Sequence, residues 1–222
     1  MYMKTNEELQ NDVMEELKWN PLLRDVYTEI GVSAKDGVIT LSGLVDTYSK
    51  KLTAERTAQH VPSVRVVACD VEVKIAEFGK KTDSEIAEAV KNALRRNSAV
   101  DEDKIELKVD NGWVIMDGNV DWEYQKISAQ NSVENLSGLR GLTNNVTIRS
   151  KDIDVKDIEN KIMKAFQRNT PIDACGIKLE SSGCRVTLSG TVRSWIEKEE
   201  TEKIAWSSPG VLSVDNRIEI GV

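Results

Sequence analysis

The sequence predicts an α+β fold of three tandem α-β-β-α-β modules, each a small three-stranded sheet with two helices on one face. A six-residue motif with a central glycine recurs at residues 40–45, 115–120 and 187–192. Each motif glycine is followed 21 positions later by an apolar residue, which pairs Gly43 with Val64, Gly118 with Leu139 and Gly190 with Val211. Apolar residues at steps of four precede each motif, as on an amphipathic helix.

These steps of four predict the first helix of each module. Its inner face would consist of Leu9, Val13 and Leu17 in the first module, Ile86, Val90 and Leu94 in the second, and Ile158, Ile162 and Phe166 in the third. A short side-chain oxygen before a helix can accept a hydrogen bond from a free amide of the first turn. The predicted N-caps are therefore Thr5 or Asn6, Asp83 and Asp154. The helices are predicted to end near Asn20, Asn97 and Asn169.

A β-hairpin is predicted next, because apolar and polar residues alternate around a turn that contains glycine. The turns are expected near Asp36-Gly37, Asn111-Gly112 and Ser182-Gly183. The strict alternation of side chains along a strand decides which of them face the helices. The predicted inward residues are Ile39, Leu41, Val114, Met116, Val186 and Leu188.

The second helix carries small residues on its inner face, and Pro or Gly then turns the chain into the last strand. The predicted inner faces are Ala54, Ala58 and Val61, then Ala129, Val133 and Leu136, and finally Thr201, Ala205 and Ser208. The last strands would begin at Val64, Leu139 and Val211. The predicted module boundaries are 1–78, 79–150 and 151–222.

Composition narrows the class of protein. The 222 residues carry a net charge of −7, which disfavours a nucleic-acid partner, and no stretch has the roughly 20 apolar residues of a transmembrane segment. The first residues lack the basic and apolar parts of an export signal, so we expect a cytoplasmic protein, or a periplasmic one if a signal has been removed. Three cysteines, with Cys175 and Cys184 close together on one hairpin, favour reduced thiols.

The repeated pattern resembles the BON family, the small domain named for bacterial osmotic-stress and nodulation proteins. The resemblance rests on the first helix, the motif around Gly43, Gly118 and Gly190, the second helix, and the Pro/Gly-Val approach to the last strand. It implies an α-β-β-α-β fold and a non-enzymatic role in stress response or envelope maintenance, with phospholipid or another hydrophobic ligand bound. It also implies a potassium-type ion as an alternative ligand.

No catalytic set, metal site or cofactor site is predicted from the residues. His60 is the only histidine and is interpreted as a partly exposed helix-end residue, and Cys69 as a buried thiol. Asn144 and Asn216 occupy the position of Cys69 and are expected to bond a neighbouring loop. The segment from Asp117 to Glu123 resembles a calcium loop, but Trp122 stands where glycine is needed, so Asp121 is interpreted as a helix cap.

The predicted contact residues are aromatic or apolar and lie outside the predicted cores: Trp113, Ile115, Trp122, Trp195 and Trp206. Strand parity places Trp113 and Ile115 on the outer face of the second sheet, where they would pack against an adjacent copy or hold an acyl chain or hydrophobic peptide. Helix positions suggest partial burial between copies for the other tryptophans, and also for Trp19. A chaperone-like or scaffold protein for apolar segments remains the alternative to a lipid-binding protein.

Overall fold

The structure of the chain, a computed structural model, describes residues 4–76, 80–149, 162–166, 176–208 and 210–221. The first module consists of α1 (Asn6–Trp19), β1 (Ile30–Lys35), β2 (Val38–Val45), α2 (Tyr48–Gln59) and β3 (Val66–Val73). The second consists of α3 (Asp83–Arg96), β4 (Ile105–Asp110), β5 (Trp113–Val120), α4 (Glu123–Glu134), β6 (Gly141–Asn144) and β7 (Thr147–Ile148). The third consists of the helical residues 162–166 (α5), β8 (Ile177–Ser182), β9 (Arg185–Val192), α6 (Trp195–Trp206) and β10 (Ser213–Ile220).

The three sheets share one topology, and the prediction of three α+β modules is confirmed. In each sheet the second strand is central: it pairs antiparallel with the first strand and parallel with the last. The parallel pair requires a crossover, which the second helix supplies. Both helices of a module therefore pack on the same face of its sheet.

Each module has its own hydrophobic core on that face. All six strand residues predicted to point inward are fully buried. The small residues of the second helices are buried as predicted, with Leu136 partly buried, and this lets the helix backbone approach the sheet closely. Among the residues described, no helix combines the length and apolarity required to cross a membrane.

The first helix of the second module begins one residue earlier than predicted. Thr5 caps α1 and Thr82 caps α3, each through a capping box with the glutamate three residues later. Asp83 was therefore wrongly predicted as a cap. Its carboxylate instead accepts from the backbone N–H groups of Asn111 and Gly112, both at 2.8 Å, and so ties the helix start to the hairpin turn. The predictions on Asp154, Ile158, Asn169 and Cys175 lie outside the described residues.

The motif glycines are required by the backbone. Gly43, Gly118 and Gly190 have φ values of 127°, 135° and 127°, a region that favours glycine. A Cβ at these positions would lie only 2.0–2.1 Å from a backbone oxygen just before the first strand. The glycines allow the strand to pass that oxygen, so their role is structural.

The last strands begin two residues later than predicted. Val64, Leu139 and Val211 are buried, but they lie in the turn that leads into the strand, and the strands begin at Val66, Gly141 and Ser213. The prediction of the start was wrong because burial of an apolar residue does not by itself indicate strand pairing. In the second module the last strand is also interrupted at residues 145–146, which separates β6 from β7.

Candidate functional site

The second helices of the three modules contact one another in pairs. All three helices are 12 residues long and begin five positions after the motif glycine, so their residues correspond one to one. Residues at the start and in the last turn of α2 meet the end of α4, and the start of α4 meets the end of α6. In the third pair, Glu199 on α6 lies 3.5 Å from His60, the residue that ends α2. We call the first two contacts the 1–2 joint and the 2–3 joint.

The 1–2 joint is filled by side chains. Arg56 donates to both carboxylate oxygens of Glu134, at 3.2 and 3.0 Å, and the Ser49 hydroxyl lies 2.9 Å from the Asn135 side-chain oxygen. Tyr48 packs against the core of the second module and hydrogen-bonds the backbone of Leu142. Burial raises the pKa of Tyr48, and the hydrogen bond to Glu134 raises the pKa of Arg56.

The 2–3 joint instead contains an open groove of about 490 Å³. We call it the joint groove, and its lining is Trp122, Glu123, Tyr124, Ile127, Glu199, Glu202, Lys203, Trp206 and Ser207. Four of the nine lining residues are aromatic or aliphatic, and most of the exposed wall surface is apolar. Tyr124 and Ile127 are exposed on the α4 side, whereas Trp206 is partly buried against the core of the third module.

The groove exists because the two joints carry different residues at equivalent positions of their helices. The first helical residue is Tyr48 in α2 but Glu123 in α4, so the ring that fills the first joint has no counterpart in the second. The last helical residue is Glu134 in α4 but Trp206 in α6, so the carboxylate that anchors Arg56 is replaced by an apolar ring. The same backbone arrangement therefore gives one filled joint and one open joint.

The groove has an acidic character. Burial raises the pKa of Glu123. The positive charge of Lys126 partly lowers this pKa, and the negative charge of Glu202 raises it. The Glu123 Oε2 atom is buried and has no hydrogen-bond partner among the described residues. Glu202 is held in place, since it accepts from Asn216 at 2.8 Å and from the Trp206 indole at 3.4 Å. The groove therefore combines aromatic rings with carboxylates on both walls.

Comparison with known proteins assigns the family. The sequence model of the BON domain matches the chain three times, at residues 5–75, 82–150 and 154–222. The chain belongs to the BON domain family. No curated protein matches the chain. Two solved structures of CdsD, a structural protein of the type III secretion system of Chlamydia trachomatis, share 13% identity with it. One covers 95% of this chain and 91% of its own, and the other, the CdsD C-terminal domain, covers 99% and 100%; both TM-scores are 0.26.

Of the predicted contact residues, the structure brings Trp122 and Trp206 together in the joint groove, between the second and third BON modules. Trp113 lies elsewhere, on the outer face of its own sheet. Its ring covers Gly141 on the neighbouring strand, where a Cβ would meet the ring at 2.5 Å, and its indole donates to Thr143 at 2.9 Å. Trp113 thus packs in part on its own BON module and is still 47% exposed, and Ile115 beside it is half-buried.

The other two tryptophans are not part of the groove wall. Trp195 packs against the core of its own BON module, and the Lys198 ammonium lies 5.2 Å from its ring centroid. Trp19 is 77% exposed, so the expectation of burial between copies was wrong for this residue. Sequence reasoning missed Glu123, Tyr124 and Ile127 as wall residues. Aligning the second helices by the motif glycine would have indicated the change from Tyr48 to Glu123.

Three predictions about polar residues need correction. Asp121 does not cap α4; its carboxylate pairs with Lys104 at 3.0 Å, and the Gln125 side chain accepts from the backbone of residues 121 and 122. Asn216 does not bond a neighbouring loop, and Asn144 does so only through its side-chain oxygen, which accepts from the backbone N–H of Val146 at 3.2 Å. They reach the second helix of their own BON module, at Lys126 and Gln130 for Asn144 and at Glu202 for Asn216.

The single histidine and the first cysteine lie close to where they were predicted. His60 ends α2 and is partly exposed. Cys69 packs at the edge of the first core but is half-buried rather than buried, and this burial raises the pKa of its thiol. In the described part of the chain, no group of three or more potential metal ligands occurs.

Proposed function

We propose that this chain is a non-enzymatic binding protein that holds the apolar chain of a phospholipid or similar ligand in the joint groove. The observation that carries this proposal is the convergence of Trp122, Tyr124, Ile127 and Trp206 around a space of about 490 Å³. Small-ligand sites typically have volumes of roughly 300–1,000 Å³ and mostly apolar walls. The size and composition of the groove therefore suit a single acyl or alkyl chain.

Exposure of the wall residues supports the proposal. Tyr124 is 57% exposed and Ile127 48% exposed, and they stand beside Trp122 on the same helix start. Each methylene that moves from water onto such a surface contributes up to about 0.8 kcal/mol. Because the groove is open to solvent on one side, a bound chain stays partly hydrated. We therefore expect micromolar affinity.

Family membership supports the role assigned to this binding. BON domains occur in proteins of stress response and envelope maintenance, and the family is non-enzymatic. A protein that sequesters apolar chains fits that setting. Tandem modules suit this role for a further reason: the groove is formed by two of them together.

The proposal is tested with N-phenyl-1-naphthylamine, a neutral apolar dye whose fluorescence rises when it leaves water. We expect saturable binding to the full chain. The double variant Tyr124→Ser/Ile127→Ser should weaken this binding at least about tenfold, because both side chains leave the wall.

The matched control is Trp19→Ser/Leu22→Ser, which removes two exposed apolar residues from the first module, 77% and 61% exposed. Its dye affinity should equal that of the unmodified chain, since neither residue lines the groove. Circular dichroism melting checks that both variants are folded. Absence of dye binding to the unmodified chain, or an equal loss in the two variants, would contradict the proposal.

A further inference from the structure

We infer that the joint groove selects an amphiphile whose head group is a primary ammonium cation. This inference rests on the proposed function, since it concerns the same groove. Its starting point is the presence of aromatic rings and carboxylates at one site: the wall contains Trp122, Tyr124 and Trp206 together with Glu123, Glu199 and Glu202.

The charges of the wall favour a positive ligand. Three carboxylates line the groove, against one ammonium, that of Lys203. Lys203 lies on the exposed side of α6, where its nitrogen is 3.4 Å from Glu200. His60 and Arg56 face Glu199 from α2, and Lys126 faces Glu123 along α4. None of these three basic residues is part of the wall itself, so an anionic head group would meet like charge there.

Glu123 supplies the most specific part of the argument. Its Oε2 atom is buried and accepts no hydrogen bond from any described residue. A buried carboxylate oxygen without a donor is costly, and a charge-assisted N–H donor is the group that satisfies it best. A primary ammonium carries three such donors on a single compact charge. The equivalent residues of the other modules are Tyr48 and Trp195, so this acceptor is particular to the 2–3 joint.

The rings add a second attraction to the same head group. A cation near the face of a Trp or Tyr ring is attracted by the ring quadrupole. A sulfate or phosphate head gains nothing comparable. The aromatic wall also disfavours a metal ion, which needs several oxygen ligands, and the described residues contain no cluster of that kind. An alkyl chain with an ammonium head matches both the apolar and the acidic parts of the groove.

The experiment compares three ligands of equal chain length, each below its critical micelle concentration, for displacement of N-phenyl-1-naphthylamine from the full chain. They are decylammonium, decyl glucoside and decyl sulfate. We expect decylammonium to displace the dye at a concentration at least about tenfold lower than decyl sulfate, with the neutral glucoside between them. The reverse order, or equal concentrations, would overturn the inference.

Two variants locate the selectivity. Glu123→Gln keeps the size of the side chain and removes its charge, so the preference for decylammonium over decyl sulfate should fall to about threefold or less. Glu72→Gln makes the same change in net charge at an exposed position in the first module and should keep the full preference. An unchanged preference in Glu123→Gln would overturn the assignment. If the dye itself does not bind, the proposed function fails; if it binds but the three ligands are equivalent, only the head-group inference fails.

Discussion

The two joints made by α4 use equivalent positions of equivalent helices, yet one is filled and the other is open. In the 1–2 joint the Tyr48 ring packs on the core of the second module. The Arg56 guanidinium forms an ion pair with the Glu134 carboxylate, which is only 9% exposed. In the 2–3 joint Glu123 occupies the position equivalent to Tyr48, and Trp206 occupies the position equivalent to Glu134. The comparison shows that two substitutions at helix ends convert a structural contact into a space that can hold a ligand.

The cores show why the difference lies in the joints. Most buried positions carry apolar residues in all three modules, because a change there tends to leave a cavity or a clash, although Thr201 takes the place of Ala54 and Ala129. At the ends of the second helices, Tyr48 and Glu134 contact another module, and Trp206 lies between its own core and the joint groove. Residues at these positions are free to differ from one copy to the next, and they determine what each joint does.

The largest effect is expected from Tyr48→Glu, which gives the 1–2 joint the residue of the open joint. It removes a half-buried ring from the second core and places a carboxylate near Glu134. We expect a loss of about 2–3 kcal/mol in the free energy of unfolding, measured by urea titration with circular dichroism. Tyr124→Glu, at an exposed groove position, is the control and should cost under about 0.5 kcal/mol. Equal losses would show that the 1–2 joint is not a stabilising contact.

A smaller loss is expected from Arg56→Ala. The variant leaves the Glu134 carboxylate buried without its ion pair, but Arg56 is itself half exposed, so water partly replaces it. We expect a loss of about 1–2 kcal/mol in the free energy of unfolding, measured by the same urea titration. Lys203→Ala changes the equivalent position of the third module, where the ammonium pairs with an exposed glutamate, and should change stability by under about 0.5 kcal/mol. The interpretation of the filled joint is wrong if the two variants behave alike.

The converse change, Glu123→Tyr, should close the open joint. A ring at this position would occupy part of the groove, cover Trp206 and remove the unpartnered carboxylate oxygen. We expect dye affinity to fall about fivefold and stability to rise by about 0.5–1 kcal/mol. Dye titration and urea titration on the same preparation check both. Unchanged dye affinity would show that the first helical residue does not control the groove.

The sequence alone predicts each module well, because its information is local. Alternation along β2, β5 and β9 identified the buried strand residues, and steps of four identified the buried faces of α1 and α3. The misses were also local: Thr82 rather than Asp83 caps α3, because a threonine was available one residue earlier to complete the capping box with Glu85.

The site could be predicted only in part, because it depends on contacts between distant residues. Trp122 and Trp206 were identified as exposed aromatic residues, but no periodicity shows that the start of α4 meets the end of α6. Trp113 and Ile115 had the same signal and lie elsewhere, since a glycine on the neighbouring strand makes room for the Trp113 ring. Composition indicates that a surface aromatic residue needs a partner, whereas only the fold decides whether that partner is its own sheet, another module or a ligand.

The smallest effect is a pH dependence confined to the open joint. Because burial and then Glu202 raise the pKa of Glu123 in the folded chain, the folded state binds this proton more tightly than the unfolded state does. The resulting stability is fully present below the unfolded pKa of about 4.3 and is lost as the pH rises through the higher folded pKa. Glu123→Gln lacks this proton, so the stability of the unmodified chain relative to the variant should fall over that interval. We expect a change under about 1 kcal/mol, since the carboxylate is only half-buried and water screens it.

Urea midpoints of both proteins at intervals from pH 4 to pH 8 measure the difference, and Glu72→Gln provides a comparison at an exposed site. A difference between the unmodified chain and Glu123→Gln that grows in the opposite direction would mean that Glu123 is stabilised as a carboxylate in the groove, and the case for a cationic ligand would lose its unpartnered acceptor.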